Sequence, residues 1–159
     1  MDLKAVNVRS CVIITLIVLL VYASLPAQTA PQPQPTPATF DTQAASRLLR
    51  QLSESLQGHS QKQFFALFDV DKMKEGGLFK QQTNSFFAQT ESIRVHLNLV
   101  DTSMDADKAN IAVDAEMEAE PRNGGPIARR NDRLNFVVAN AGNRWKFIDF
   151  QPRSFFSLP

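Results

Sequence analysis

Few side chains in this 159-residue sequence combine a type and a spacing that could do chemistry. The foremost is Asp149. It follows Trp145 and Phe147 at alternate positions, so in a strand all three share one face, and that face is apolar. A carboxylate held there loses hydration, which raises its pKa toward the range where a general base works. Asp132 has the same parity in the preceding strand and faces Gln151, but it stands close to a loop. His96 alternates instead with Arg94 and Asn98 and belongs to a polar face. His59 falls in a turn between helices, where a helix-end role is ordinary. These two histidines lie on different elements, and only scattered carboxylates could join them, so no metal site is expected. Asp69-Val-Asp71 and Asp105-Ala-Asp107 lack the glycine and terminal glutamate of a calcium loop and read as capping turns. No cofactor is expected either.

Composition narrows the chemistry further. The only cysteine, Cys11, and the only tyrosine, Tyr22, lie near the amino terminus, so residues 40–159 hold neither a thiolate nor a phenol. Setting aside Lys4, Arg9 and Asp2, 15 basic and 15 acidic residues remain. A net charge near zero gives no long-range attraction for phosphates, which speaks against a nucleic-acid partner. The arginines gather beside one hairpin: Arg122, Arg129, Arg130 and Arg133 flank it, with Glu116, Glu118 and Glu120 on the facing strand. Mutual neutralisation on a solvated ribbon is the reading of that cluster.

Residues 1–27 read as a signal peptide or short membrane anchor. Lys4 and Arg9 precede the apolar run from Cys11 to Val21, and small residues follow it. Even extended to Pro26 the run is shorter than the roughly 18–20 residues of a spanning helix. Residues 28–39 are an uncharged Pro/Gln-rich linker, extended rather than packed. Residues 40–159 form the domain, expected outside the cytoplasm, periplasmic or secreted.

Three helices and then a meander of strands must position the candidate residues. Asp41 or Thr42 caps a helix whose stripe is Ala45, Leu48, Leu49, Leu52 and Leu56, ended by Gly58. Ser60 with Gln63 makes a capping box for a short helix bearing Phe64, Phe65 and Phe68. Gly76-Gly77 breaks the chain before a third helix that turns Phe79, Thr83, Phe86 and Phe87 inward. From Ser92 the apolar period becomes two. A turn centred on Asn123-Gly124 sets Val113 against Leu134, Ile111 against Phe136 and Asp114 against Arg133. A turn at Ala141-Gly142 sets Phe136 against Phe147 and Val138 against Trp145. A first hairpin closing at Met104 puts Arg94 on the other side of Asp114, an Arg–Asp–Arg row. Val137, Ile148 and Phe150 form an apolar edge on the polar face, to be covered by Phe155, Phe156 and Leu158 or by a second subunit.

This order, with Phe64-Phe65-Ala-Leu-Phe68 and the closing Asn143-Arg-Trp-Lys-Phe-Ile-Asp149, resembles the nuclear-transport-factor-2-like (cystatin-like, SnoaL-like) superfamily over about residues 41–152. The resemblance implies an α+β cone in which the helices pack in the concavity of a curved antiparallel sheet. It also implies a pocket, whose candidate lining is Phe64, Phe68, Phe86, Phe136, Trp145, Phe147 and Asp149. Homodimers through the sheet face are common in such proteins. With one acid, no tyrosine and no metal set, the leading reading is an exported non-catalytic module that binds a hydrophobic small molecule or a protein. The alternatives are an isomerase-, cyclase- or hydrolase-type pocket enzyme using Asp149, and a membrane-tethered assembly subunit of an envelope complex. Sequencing the amino terminus of the exported protein should find Ser24 or Gln28 first, after cleavage behind Ala23 or Ala27. An intact leader in the membrane fraction would favour the tethered subunit.

Overall fold

Asp41 opens the first helix: its carboxylate accepts from the Ala44 amide at 2.7 Å, satisfying one of the donors a helix start leaves unpaired. The computed structural model describes residues 40–157, so the leader, the linker and Leu158 lie outside the described residues. Helix α1 (Thr42–Gln57) buries the expected stripe from Ala45 to Leu56. It ends at Gly58, yet the residue that turns left-handed is His59, at φ 52°. The His59 ring donates from Nε2 to the Phe87 carbonyl at 2.9 Å and stands edge-on to the Phe87 ring, tying this turn to the end of the third helix.

Helix α2 (Gln61–Ala66) is short and buries Phe64. The expected capping box does not form. Ser60 stands at φ −96°, ψ 88°, away from the extended geometry (φ −126°, ψ 174°) with which Asp41 aims its oxygen, and its side chain makes no cap. After a 3-10 turn at Val70–Lys72 comes helix α3 (Gly76–Gln89), with Phe79, Thr83, Phe86 and Phe87 buried as anticipated. Gly76 is its first residue rather than a break before it. The reason is a close approach: a Cβ at Gly76 would lie 2.0 Å from the Val70 carbonyl oxygen.

Four strands follow in sequence order as one antiparallel sheet: β1 (Thr90–Asp105), β2 (Lys108–Pro121), β3 (Ala128–Ala141) and β4 (Arg144–Gln151). The sheet is curved and unclosed, and with the three helices it makes the expected α+β cone. Between β2 and β3 the register is the one the turn dictates. Val113 lies opposite Leu134, Ile111 opposite Phe136 and Asp114 opposite Arg133, with Gly124 at φ 71°.

The other two hairpins differ from expectation. The first closes at Ala106-Asp107, not at Met104, and the ladder slips between Leu99 and Asp101. Ala106 itself takes φ 53°, so no glycine marks this turn in the sequence. Arg94 consequently faces Glu118, and the residue beside Asp114 is Asn98. The last hairpin turns on Gly142-Asn143, with Gly142 at φ 73° in the first loop position. Further along, Phe147 faces Val138 while Asp149 faces Val137, leaving Ile148 as an unmatched residue. One extra residue reverses the facing of everything beyond it. Phe150 thus lies opposite Phe136 in the core, not on the polar face, and Asp149 moves to the other side.

The free edge of β4 is covered. The Phe147 amide donates to the Leu67 carbonyl at 2.9 Å, and the Asp69 amide to the Phe147 carbonyl at 2.8 Å. Around this clamp the rings close: Phe147 lies 5.1 Å from Phe68 and 4.7 Å from Phe136, centroid to centroid. The chain then bends into a 3-10 turn, Arg153–Phe156, whose Phe155 and Phe156 are buried against their own domain. Phe156 meets Phe150 at 5.2 Å and Phe64 at 5.5 Å. The two adjacent glycines of α3 separate packing from propensity. Gly76→Ala should lose about 1–3 kcal/mol through the clash with Val70. Gly77→Ala, with nothing within 4 Å of the new methyl, should gain about 0.5–1 kcal/mol by the preference of helices for alanine. Urea unfolding of the two variants reads both.

Candidate functional site

Of the rings named as pocket lining, Phe64, Phe68, Phe136 and Phe147 converge and fill the space they enclose, while Phe86 stands against Phe87 at 6.0 Å. Phe64, Phe68, Phe86, Phe136 and Phe147 are each buried to 2% exposure or less. Neighbouring rings stand at 4.7–6.1 Å in tilted and edge-on pairs, the spacing of close-packed aromatics. Trp145 is separate from them. It is half-buried at the rim, with the Phe40 ring edge-on at 4.9 Å.

Asp149 is also separate, because of the unmatched Ile148. One of its oxygens accepts from the Phe150 amide at 2.7 Å and from the Arg153 guanidinium at 2.5 Å. Its side chain is 36% exposed, so it faces neither the rings nor a dry site. In that setting the carboxylate anchors the turn carrying Phe155 and Phe156, while Arg153 also lies over the Phe150 ring at 5.6 Å. Asp132 is exposed opposite Ala115, not Gln151, and His96 is exposed on the polar face. Among the described residues no group of three His, Cys, Asp or Glu side chains is placed to hold a metal ion.

The polar face of the sheet carries a shallow groove of about 550 Å³. Two rows cross it, Arg94–Glu118–Arg129 and His96–Glu116–Asn131, and a third, Asn98–Asp114–Arg133, lies beside it on the same face. The first replaces the anticipated Arg–Asp–Arg row, since the displaced hairpin sets Glu118 rather than Asp114 between two arginines. Glu118 takes Arg129 Nε at 2.8 Å and Arg94 Nε at 3.4 Å. Arg133 pairs with Asp114 at 2.9 Å, as its register demanded, and that bond raises the guanidinium pKa further. Arg130 donates to the Ser154 carbonyl, linking β3 to the closing turn. The central role of Glu118 could not be read from the sequence, because it depends on a turn that no glycine announces.

No protein-family model matches the chain, and no curated protein matches it in sequence. Solved structures do match in shape. A nuclear-transport-factor-2-like superfamily protein from Salmonella enterica superposes with a TM-score of 0.60 at 12% identity, over 68% of this chain and 86% of its own. The fold is nuclear-transport-factor-2-like. A conserved protein from Planctomyces limnophilus matches at 0.59 and 11% identity, over 68% of this chain and 91% of its own. A candidate scytalone dehydratase from Novosphingobium aromaticivorans matches at 0.59 and 15% identity, over 68% and 79%. Proteins of this fold are often small-molecule binders or of dehydratase or isomerase type. Likeness at such identities fixes the shape and leaves the activity open.

The Glu118 row has a measurable signature. The hydrogen bond from Arg129 holds the Glu118 carboxyl below the ordinary glutamate range; desolvation opposes it, and the charges of Arg129 and then Arg94 add to the lowering. A depressed pKa stabilises the fold above the unfolded-state value, and that contribution fades as pH falls through the folded value. Carboxyl NMR titration should therefore give Glu118 a low midpoint. Arg129→Ala should move it upward, and Arg94→Ala should move it by less.

Proposed function

We propose that this protein is an exported, non-catalytic binding or protein-interaction module. The observation that carries the reading is the filled interior. A pocket enzyme needs room for a substrate beside a poised acid or base. Here the interior is occupied by Phe64, Phe68, Phe136, Phe147 and Phe156, and Asp149 is held outside them by Arg153. Export rests on the leader and linker compositions. The surface assigned to a partner is the polar sheet face, where ordered charge rows offer complementarity, and a second copy of the chain is the partner to test first.

The rival reading, a small-molecule enzyme with Asp149 as base, draws on the likeness in fold to the candidate dehydratase. It requires Asp149 to leave Arg153 and the aromatic interior to open. A tethered assembly subunit requires the leader to stay uncleaved. Thermal unfolding with a panel of uncharged apolar ligands should show no rise in midpoint. A saturable rise, or a turnover that Asp149→Asn abolishes, would overturn the non-catalytic reading. Sedimentation should find a dimer that Glu118→Lys weakens, because the substitution sets three cations in one row.

A further inference from the structure

A second cleft, of about 470 Å³, lies between α1, the end of α2 and the start of β4. Among the described residues that line it, the walls are apolar: Leu48, Leu67 and Trp145. The charged groups are Arg47, Arg144 and Lys146, and no described lining residue is a carboxylate. Arg47 comes from α1 and the other two from β4, and the fold sets them around one cleft. Elsewhere Arg50, Arg94, Arg129, Arg133 and Arg153 each hold a carboxylate, and Arg130 donates to the Ser154 carbonyl. Arg47, Arg144 and Lys146 have no ion pair with a described residue.

Like charges gathered in one concavity repel one another, and they concentrate a field that favours an anion. Guanidinium groups suit a planar or tetrahedral oxyanion, which they can hold through paired N–H donors. An indole and two leucines suit a flat apolar body. The volume falls within the roughly 300–1,000 Å³ of small-molecule sites. We propose that this cleft binds a small organic anion, an aromatic or similarly flat apolar body bearing a carboxylate or phosphate. The site shares no residue with the polar sheet face and lies apart from the filled interior, so it stands or falls separately from the function proposed above.

Trp145 is the only tryptophan of the whole chain, so its fluorescence reports on this cleft alone. Titrating the full chain with phenylacetate or phenyl phosphate should change that emission saturably, and saturation by either oxyanion supports the proposal. Benzyl alcohol (ring without charge) and acetate (charge without ring) should each bind at least roughly tenfold more weakly, as loss of a charge-assisted bond or of the apolar contact requires. Arg144→Ala combined with Lys146→Ala, and separately Arg47→Glu, should weaken binding by a similar factor while leaving the urea midpoint in place, since all three side chains lie at the surface or its margin. The proposal is overturned if neither oxyanion saturates the signal, if benzyl alcohol matches them, or if the cation variants bind unchanged. It is equally overturned if a polyglutamate peptide saturates the signal below the concentration of the small anions, which would make the cleft a protein-docking site.

Discussion

One residue more in β4 than β3 can match governs how the interior is built. With Ile148 unpaired, the strand turns two phenylalanines inward three positions apart, where an unbroken alternation would place them on opposite faces. Phe147 then serves both layers at once. Its backbone is bonded to residues 67–69 ahead of α3, while its ring lies against Phe68 from that segment and Phe136 from the sheet. Phe150, the second ring, reaches Phe136, Phe79 and Phe156. Helices, sheet and closing turn are joined through these two side chains, and the same reversal sends Asp149 out to Arg153.

What the sequence made legible follows from how local each determinant is. The stripe of α1 and the inward face of α3 depend on spacing within one element, and both were readable. The β2–β3 register is the one that a centre at Asn123-Gly124 announced, although residues 122–127 all lie in the connection. The β1–β2 turn carries no glycine at its left-handed position, so an alternating pattern alone could not locate it. The β4 bulge was invisible for a different reason. Trp-Lys-Phe-Ile-Asp-Phe reads equally well as strict alternation, and only the competition of Phe147 and Phe150 for the same core decides otherwise. The five buried rings were identifiable as a group. That they would fill their space instead of surrounding a void is a matter of packing volume, which no periodicity encodes.

The same displacement of the first hairpin reorganised the polar face. Moving the turn toward Asp107 slid β1 along β2 until Arg94 reached Glu118, and the charge row moved with it. Cross-strand ion pairs are therefore outcomes of turn chemistry as much as of composition. The cleft beside Trp145 belongs to yet another level of organisation. Arg47 of α1 lies far along the chain from Arg144 and Lys146 of β4, and the three line one cleft only once β4 is bonded to the segment after α2. Neither surface is visible in a motif.

The burial of Phe155 and Phe156 bears on how the domain reaches its fold. Phe156 packs against Phe64 of α2, far away along the chain. Hairpins such as β2–β3 join near neighbours and can form early, but contacts of this separation need most of the chain to be ordered first. A chain that has not yet made this contact leaves the rings of its closing turn uncovered.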